Sequence, residues 1–202
     1  MQLRCATLYA KANPAPVSDA PGRSACARPP DDRLRIGYLS ADLTEHALSF
    51  LMAGVFEQHD RSRFETTAFA LRKDETSALG RRVRSAFERV VDVEGMTDSA
   101  IASAVRQHQI DILIDLTGYT SGPSGEVLAA RAAPVQASYL GFPGTLGPSK
   151  ADYLIADEFV VPQASREFYS EAIAYLPECF QANDHRRTPA AAAVSRAAVV
   201  AS

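Results

Sequence analysis

Apolar residues fall along this chain in two alternating patterns, short continuous runs and helically spaced positions. The clearest run is IDILIDL at residues 110–116, which is too continuous for a strand with one face in water. A run of this kind is typical of a parallel strand that helices cover on both faces. Shorter apolar stretches predict further strands at residues 33–40, 64–71, 89–93 and 135–140, and two edge strands at residues 153–156 and 172–176.

Apolar positions three and four residues apart predict the helices between these strands. The helices lie at residues 47–58, 76–88, 98–109 and 126–131, with a further short helix at residues 1–11. Thr44 precedes the helix at 47–58, and its hydroxyl is suited to cap that helix. Because strand and helix alternate, the chain is predicted to be an α/β protein with a Rossmann-like, doubly wound parallel sheet.

Polar and glycine-rich segments follow the predicted strands on what would be one rim of the sheet. Residues 40–46 (SADLTEH), 117–123 (TGYTSGP) and 141–147 (GFPGTLG) each begin where an apolar run ends. Loops beyond the carboxyl ends of parallel strands build the ligand crevice of open α/β sheets. These loops are therefore the candidate site, although glycine serves tight turns equally well.

The chain divides into three predicted segments. Residues 1–32 combine the short helix with a linker at residues 13–32, where five prolines prevent both helix and sheet. We expect this linker to be poorly ordered. Residues 33–184 hold the α/β lobe, and residues 185–202 form an alanine-rich tail without helix caps or a clear apolar face.

Composition narrows the class of protein further. Hydrophobic residues make up 47% of the chain, yet no run approaches the roughly 20 apolar residues of a membrane span. The net charge of −3 comes without a basic stripe, so neither nucleic acid nor membrane is predicted as a partner. Cys5, Cys26 and Cys179 are widely spaced, which indicates free thiols in a reducing cytoplasm. No cluster has metal-ligand spacing, so no metal is predicted. No bound cofactor is expected either.

Three short motifs occur in a specific order: DLTGYT at residues 115–120, R-x-A-P-V-Q at 131–136 and YLGFPGTLG at 139–147. In this order and spacing the chain resembles the amino-terminal catalytic lobe of the O-GlcNAc transferases, the SPINDLY-like glycosyltransferases of family 41. The resemblance covers residues 33–184. It implies a GT-B fold, in which a second Rossmann-like lobe holds most of the UDP-GlcNAc donor and the acceptor peptide lies between the lobes.

The resemblance singles out His46 as the catalytic residue, on the histidine of the family's D-x-x-x-H-P motif. A histidine there would orient the acceptor Ser or Thr hydroxyl or accept its proton, since its pKa lies near working pH. The alternative is a loop histidine bonded to backbone. Ala47 stands where the family usually has Pro, and Phe50 where some members have a second His. Asp42 is expected to cap the same turn or to bond the loop that holds His46.

The remaining candidate substrate-binding residues lie in the two glycine-rich loops. Asp115 and Thr117 end the central strand and are expected to orient neighbouring loop amides. The hydroxyl of Tyr119 would reach a sugar or phosphate oxygen, unless Tyr119 is a packed residue with its hydroxyl in water. Ser124 departs from the family, where an Arg is common. The loop amides and hydroxyls expected to line the sugar site belong to Gly118, Thr120, Gly141, Pro143, Gly144 and Thr145.

The sequence is therefore interpreted as the acceptor-side lobe of a cytoplasmic protein O-linked N-acetylglucosamine transferase, which inverts the sugar's anomeric centre. Because these residues reach only the point at which the second lobe begins in the family, we expect the isolated lobe to be inactive and to expose an apolar patch at its rim. A non-catalytic peptide- or partner-binding module is the alternative. A dehydrogenase is disfavoured, because SADLTEH replaces a G-x-G-x-x-G turn after the first strand.

Overall fold

The computed structural model describes residues 1–12, 32–120 and 124–187 of the chain. Most of the predicted linker (13–31) and tail (188–202), together with Cys26, lies outside the described residues. The strands are β1 (Leu34–Ser40), β2 (Phe64–Ala70), β3 (Arg89–Asp92), β4 (Ile112–Asp115), β5 (Val135–Tyr139), β6 (Tyr153–Ala156) and β7 (Ala172–Tyr175). The helices are α1 (Gln2–Ala12), α2 (Ala47–Glu57), α3 (Ala78–Ala86), α4 (Asp98–Gln107) and α5 (Ser124–Ala129), with a 3₁₀ helix η1 (Gln163–Phe168).

Every strand and helix predicted from the apolar pattern is present, with ends that differ by two residues or fewer. Only η1 was not predicted, because six residues that bury no side chain carry no apolar periodicity. None of the helices in the described ranges is long and apolar enough to cross a membrane.

All strands pair in parallel and form one sheet in the order β3-β2-β1-β4-β5-β6-β7. The chain builds outward from β1 to β3, crosses back to place β4 on the other side of β1, and then builds outward to β7. The doubly wound fold is thereby confirmed. The order reverses between β1 and β4, where Leu39 is in register with Asp115 and the Leu116 amide donates to the Leu39 carbonyl over 3.0 Å. Ligands bind open α/β sheets at this switch point.

The two faces of the sheet bury separate apolar clusters. Tyr38 of β1 packs with Phe56 and Val83 against α2 and α3, whereas the next residue, Leu39, packs with Ile101 and Leu128 against α4 and α5. Because neighbouring strand residues point to opposite faces, both faces of β1 are buried. Each such side chain contributes about 1.5–3 kcal/mol of transfer free energy. This double coverage fixes β1 and β4 as the rigid floor of the candidate site.

The prediction that Thr44 caps α2 is wrong, because His46 is the cap. His46 has extended backbone angles, φ −133° and ψ 155°, and its ring nitrogen Nδ1 accepts the Leu48 amide. Thr44 instead receives the His46 amide on its carbonyl oxygen at 2.8 Å, which closes a tight turn before the helix. This turn places the cap two residues after Thr44, and α2 begins at Ala47 as predicted. The residue proposed for catalysis thus also begins the helix.

Helix α1 packs against the loop that follows β5. A Cβ added at Gly144 would collide with the Gln2 side chain, and one added at Gly147 would meet Ala6. Gly147 also has a φ of 90°, which glycine adopts without strain. These glycines let the helix approach the loop backbone closely. One side of the 141–147 loop is consequently covered by α1 and not by solvent.

Candidate functional site

A cleft of about 500 Å³ opens over the switch point, at the carboxyl ends of the central strands. Loops after β1, β2, β4 and β5 and the segment after β7 all contribute to it. Its lining combines apolar and polar side chains. The lining residues are Asp42, His46, Leu48, Leu51, Arg72, Thr120, Leu140, Gly141, Phe180 and Gln181. Four residues predicted from sequence, Asp42, His46, Thr120 and Gly141, thus share one cavity.

The His46 ring is held on one edge and free on the other. Its Nδ1 accepts the Leu48 amide over 3.2 Å and lies 3.8 Å from Oδ1 of Asp42, while 49% of the side chain is exposed. A neutral ring that accepts at Nδ1 carries its proton on Nε2. In this state His46 offers a hydrogen-bond donor to the cleft. Accepting a proton at Nε2 requires the other tautomer, with Nδ1–H directed to Asp42.

Asp42 lies in a turn that its neighbours fix. The Asp42 amide donates to Oγ of Ser40 over 3.0 Å, and the Ser49 hydroxyl donates to the Asp42 carbonyl over 2.7 Å. Both serines are fully buried. Because Ser49 belongs to α2, this bond ties the turn to the helix that His46 begins. The carboxylate of Asp42 is therefore held beside the imidazole.

The loop after β4 is built around two buried side chains. The Asp115 carboxylate accepts the Thr117 amide over 3.0 Å and the Gly118 amide over 2.8 Å. The Thr117 hydroxyl accepts the Ala41 amide over 3.1 Å, which joins the loops on either side of the switch point. Thr120 donates to the Thr117 carbonyl over 2.7 Å and lines the cleft. Asp115 and Thr117 thus shape the rim, and binding roles for them stay a prediction.

Tyr119 is directed away from the cleft. Its hydroxyl donates to the Leu146 carbonyl, and its ring packs edge-on against Phe142 and against Tyr9 of α1. The ammonium of Lys150, which is 3% exposed, lies over the rings of both Tyr9 and Tyr119 and 3.6 Å from a Glu126 oxygen. In this structure the Tyr119 hydroxyl bonds backbone, so contacting a sugar or phosphate would require it to leave Leu146.

The loop after β5 has residues that line the cleft and residues that lie near α1. Gly141 lines the cleft, and a Cβ there would lie 2.0 Å from the Leu116 carbonyl oxygen, so only glycine fits the crossing of these two loops. Pro143 is exposed, while Gly144 and Thr145 are buried near α1. The Thr145 hydroxyl donates to Glu171 over 2.8 Å, and Glu171 also accepts the Leu146 amide. The predicted sugar contacts of this loop stay untested.

The sequence interpretation missed Arg72 and the segment after β7. Arg72 is exposed, lines the cleft and makes no hydrogen bond or ion pair within the described part of the chain. It follows β2 by two residues, so the rule that selected His46 would have selected it too. Phe180 lies far along the chain from any motif. Its amide donates to Asp157 over 2.8 Å, and its carbonyl accepts the Tyr139 hydroxyl over 2.6 Å.

An arginine fork holds the end of this segment against the helices. The Arg82 guanidinium donates to both Asp184 oxygens, over 2.6 and 3.1 Å, and to both Glu57 oxygens, over 2.8 and 2.9 Å. Hydrogen bonding by Arg82 holds the pKa of Asp184 and of Glu57 below their ordinary values. The fork fixes Asp184 on α2 and α3, and with it the wall formed by Phe180 and Gln181.

Within the described ranges, no group of three or more His, Cys, Asp and Glu side chains is arranged to hold a metal ion. The cleft presents other chemistry. It offers one imidazole, one carboxylate, one guanidinium and a hydroxyl beside apolar walls. Such an arrangement can bind an extended peptide and orient a hydroxyl group within it.

A doubly wound Rossmann-like lobe with a cleft at its switch point is a class of ligand-binding domain found in many enzymes. Comparison with known proteins identifies the family to which this domain belongs. The chain belongs to glycosyl transferase family 41, whose family model matches residues 22–200. The resemblance inferred from three short motifs is thereby confirmed.

Proteins similar in sequence support the assignment to this family. The chain is 44% identical over 155 residues to the probable UDP-N-acetylglucosamine–peptide N-acetylglucosaminyltransferase SEC of Arabidopsis thaliana, a match that covers 77% of the chain and 16% of the relative. The UDP-N-acetylglucosamine–peptide N-acetylglucosaminyltransferase of Caenorhabditis elegans is 36% identical over 154 residues, which are 76% of the chain and 13% of that protein.

A solved structure matches the fold. The O-GlcNAc transferase of Thermobaculum terrenum, determined as a mutant, superposes with a TM-score of 0.81 at 31% identity and covers 89% of this chain but 34% of that one. The chain thus spans about a sixth of the length of its curated relatives and a third of the solved one. The predicted fold class, one Rossmann-like lobe of a GT-B glycosyltransferase, is confirmed.

Proposed function

We propose that this chain forms the acceptor-side lobe of a protein O-linked N-acetylglucosamine transferase. The intact enzyme would transfer GlcNAc from UDP-GlcNAc to a Ser or Thr hydroxyl of an acceptor protein and invert the anomeric centre. One observation carries the proposal: in a member of glycosyl transferase family 41, the switch-point cleft presents a half-exposed His46 beside a buried carboxylate. The relatives from Arabidopsis thaliana and Caenorhabditis elegans are named as UDP-N-acetylglucosamine–peptide N-acetylglucosaminyltransferases, which supports this proposal.

His46 would act on the acceptor hydroxyl in one of two states. With Nδ1 bonded to the Leu48 amide, Nε2–H donates and orients the hydroxyl oxygen. With the proton moved to Nδ1, facing Asp42 at 3.8 Å, Nε2 accepts the hydroxyl proton. Exchange of the two states requires the imidazole to release the Nε2 proton and take one up at Nδ1, and it leaves the Leu48 amide without this acceptor. The nearby carboxylate would also stabilise the imidazolium that forms when Nε2 takes the proton.

The departing diphosphate requires more positive charge than this cleft supplies. Among the described residues that line it, Arg72 is the one permanent cation. Removing one preorganised contact of this type costs about 10²–10³ in rate. We therefore propose that UDP-GlcNAc is held mainly by groups outside these 202 residues, and we expect no detectable transfer by the chain alone.

Incorporation of radiolabelled GlcNAc tests the proposal. The chain would be assayed alone and joined to the second lobe of a family 41 relative, with a Ser-containing acceptor peptide. Transfer is expected only from the joined protein, and His46→Ala should reduce it. His185→Ala serves as the matched control, because His185 is exposed and lies outside the cleft lining. Transfer by the chain alone at the rate of an intact relative would contradict the assignment of lobes.

A non-catalytic peptide-binding module is the second candidate. It is favoured by the apolar share of the cleft lining, to which Leu48, Leu51, Leu140 and Phe180 belong. Peptide binding by the joined protein without any transfer would support it. Under either proposal we place the protein in the cytoplasm, because Cys5 and Cys179 are exposed free thiols of the kind that a reducing compartment maintains.

A further inference from the structure

Arg72 is a charged side chain in the cleft that the structure itself does not use. Its neighbours in the same turn are engaged: the ammonium of Lys73 pairs with Glu75 over 3.4 Å, and the Asp74 carboxylate accepts from Ser77 and from the Glu45 amide. Arg72 has no such partner within the described ranges. Its guanidinium is therefore available to an anion that enters the cleft.

The position of Arg72 follows from the register of two central strands. Ala70 at the end of β2 is paired with Ser40 at the end of β1, and the Leu71 amide donates to the Ser40 carbonyl over 2.9 Å. The next residue, Arg72, thus leaves the sheet beside the turn that carries Asp42 and His46. The strand pairing therefore places a guanidinium and an imidazole at the mouth of one cavity.

We propose that Arg72 selects acceptor segments that carry an Asp or Glu near the hydroxyl to be modified. This inference rests on the proposed function and names its substrate class. Arginine binds a carboxylate through two parallel hydrogen bonds, which gives direction as well as charge. Because Arg72 and His46 line the same cleft of about 500 Å³, residues close to a hydroxyl that meets His46 are the ones within reach of Arg72.

A carboxylate fits this cleft better than the donor's diphosphate does. One guanidinium balances one negative charge, whereas a diphosphate carries more and requires several donors. The Asp42 carboxylate on the same lining would repel a polyanion more strongly than a single charge. Leu48, Leu51 and Leu140 offer apolar contact that suits peptide side chains and methylene groups. The lining as a whole thus matches a singly acidic peptide.

Peptide affinity measured by fluorescence anisotropy tests this inference on the 202-residue chain. One labelled peptide carries a single Asp beside a Ser, and a matched peptide carries Asn in its place. The acidic peptide is expected to bind about 3- to 10-fold more tightly at low salt, and the preference should shrink as salt screens the charge. Arg72→Gln should remove the preference without changing affinity for the Asn peptide. Arg72→Lys should retain part of it, because charge remains without the fork.

Arg166→Gln is the matched control, since Arg166 is exposed on η1 and outside the cleft lining, and it should leave the preference intact. Equal affinity for the two peptides would overturn the inference and leave the proposed function standing. Binding of neither peptide would overturn the inference as well, whereas the proposed function is tested separately by the transfer assay of the joined protein. UDP serves as a third probe: if Arg72→Gln weakens UDP binding and leaves the peptide preference unchanged, the anion is the donor phosphate and the inference is wrong.

Discussion

Replacing Asp184 with Asn tests whether the arginine fork holds the wall of the cleft. Asn keeps the shape of the side chain but removes the charge that faces Arg82, at 2.6 and 3.1 Å. The Asp184 side chain is 3% exposed, so water replaces the lost contact poorly. The segment that carries Phe180 and Gln181 should then detach more often from α2 and α3.

The magnitude follows from the geometry of the pair. Hydrogen bonds to charged groups are worth about 1.5–3 kcal/mol, and breaking a fully buried pair costs about 3–5 kcal/mol. The Arg82 side chain is 29% exposed and keeps Glu57 as a partner, which places the loss below the buried-pair range. We expect Asp184→Asn to lower the free energy of unfolding by about 2 kcal/mol, and the melting temperature by about 4–8 °C.

Asp92→Asn is the matched control. Asp92 also accepts two bonds from an arginine, Arg84, over 2.8 and 2.9 Å, but its side chain is 35% exposed and lies away from the cleft lining. Its loss should cost less than about 1 kcal/mol. Urea unfolding measures the loss in free energy of unfolding for both variants. Hydrogen exchange at the Phe180 amide measures how often the wall formed by Phe180 and Gln181 detaches. If Asp184→Asn costs no more than the control, or if that amide exchanges as before, the fork does not hold the wall.

The other predictions concern the loop crossing, acid stability and the buried carboxylate. Gly141→Ala should lower the free energy of unfolding by about 1–3 kcal/mol, because its Cβ would lie 2.0 Å from the Leu116 carbonyl oxygen; urea unfolding unchanged from wild type would contradict this. The lowered pKa of Asp184 means that its pairing with Arg82 stabilises the protein above about pH 4 and is lost as the pH falls further. Arg82→Met should therefore flatten the dependence of unfolding on pH between pH 5 and 3, and an unaltered slope would refute that assignment. Glu171→Gln should cost about 1–3 kcal/mol in thermal unfolding, since an amide offers one acceptor oxygen to the donors that now share two; a melting temperature equal to wild type would count against it.

The fold could be predicted because its signals are local. The run at residues 110–116 and the loops that follow the apolar stretches indicated parallel strands with polar loops on one rim, and both are present. The cap of α2 was placed wrongly because Thr44 has a suitable side chain, yet a tight turn from Thr44 to His46 makes His46 the cap. The sheet order stayed beyond reach, since strand pairing joins residues far apart in the sequence.

Residues of the site could be predicted only where a polar side chain or a glycine comes soon after the end of a strand. Asp42, His46, Thr120 and Gly141 lie in the cleft for that reason. Thr145 and Tyr119 follow strand ends as well, but their hydroxyls bond Glu171 and Leu146, which lie 26 and 27 residues away in the chain. No local sequence pattern predicts hydrogen-bond partners at such separations. Arg72 was overlooked because a charged residue in a turn is ordinarily solvated.

The switch point has a consequence for how the cleft can be lost. Residues 34–92 supply Asp42, His46 and Arg72, whereas residues 112–181 supply Thr120, Gly141 and Phe180. Within the sheet the two halves meet along one seam, β1 against β4, which the Thr117 hydroxyl bridges to Ala41, and outside the sheet the Arg82–Asp184 pair also joins them. A chain cleaved in the turn before α4 would therefore carry half a cavity on each piece. Only re-association of the pieces along that seam would restore a place for a substrate.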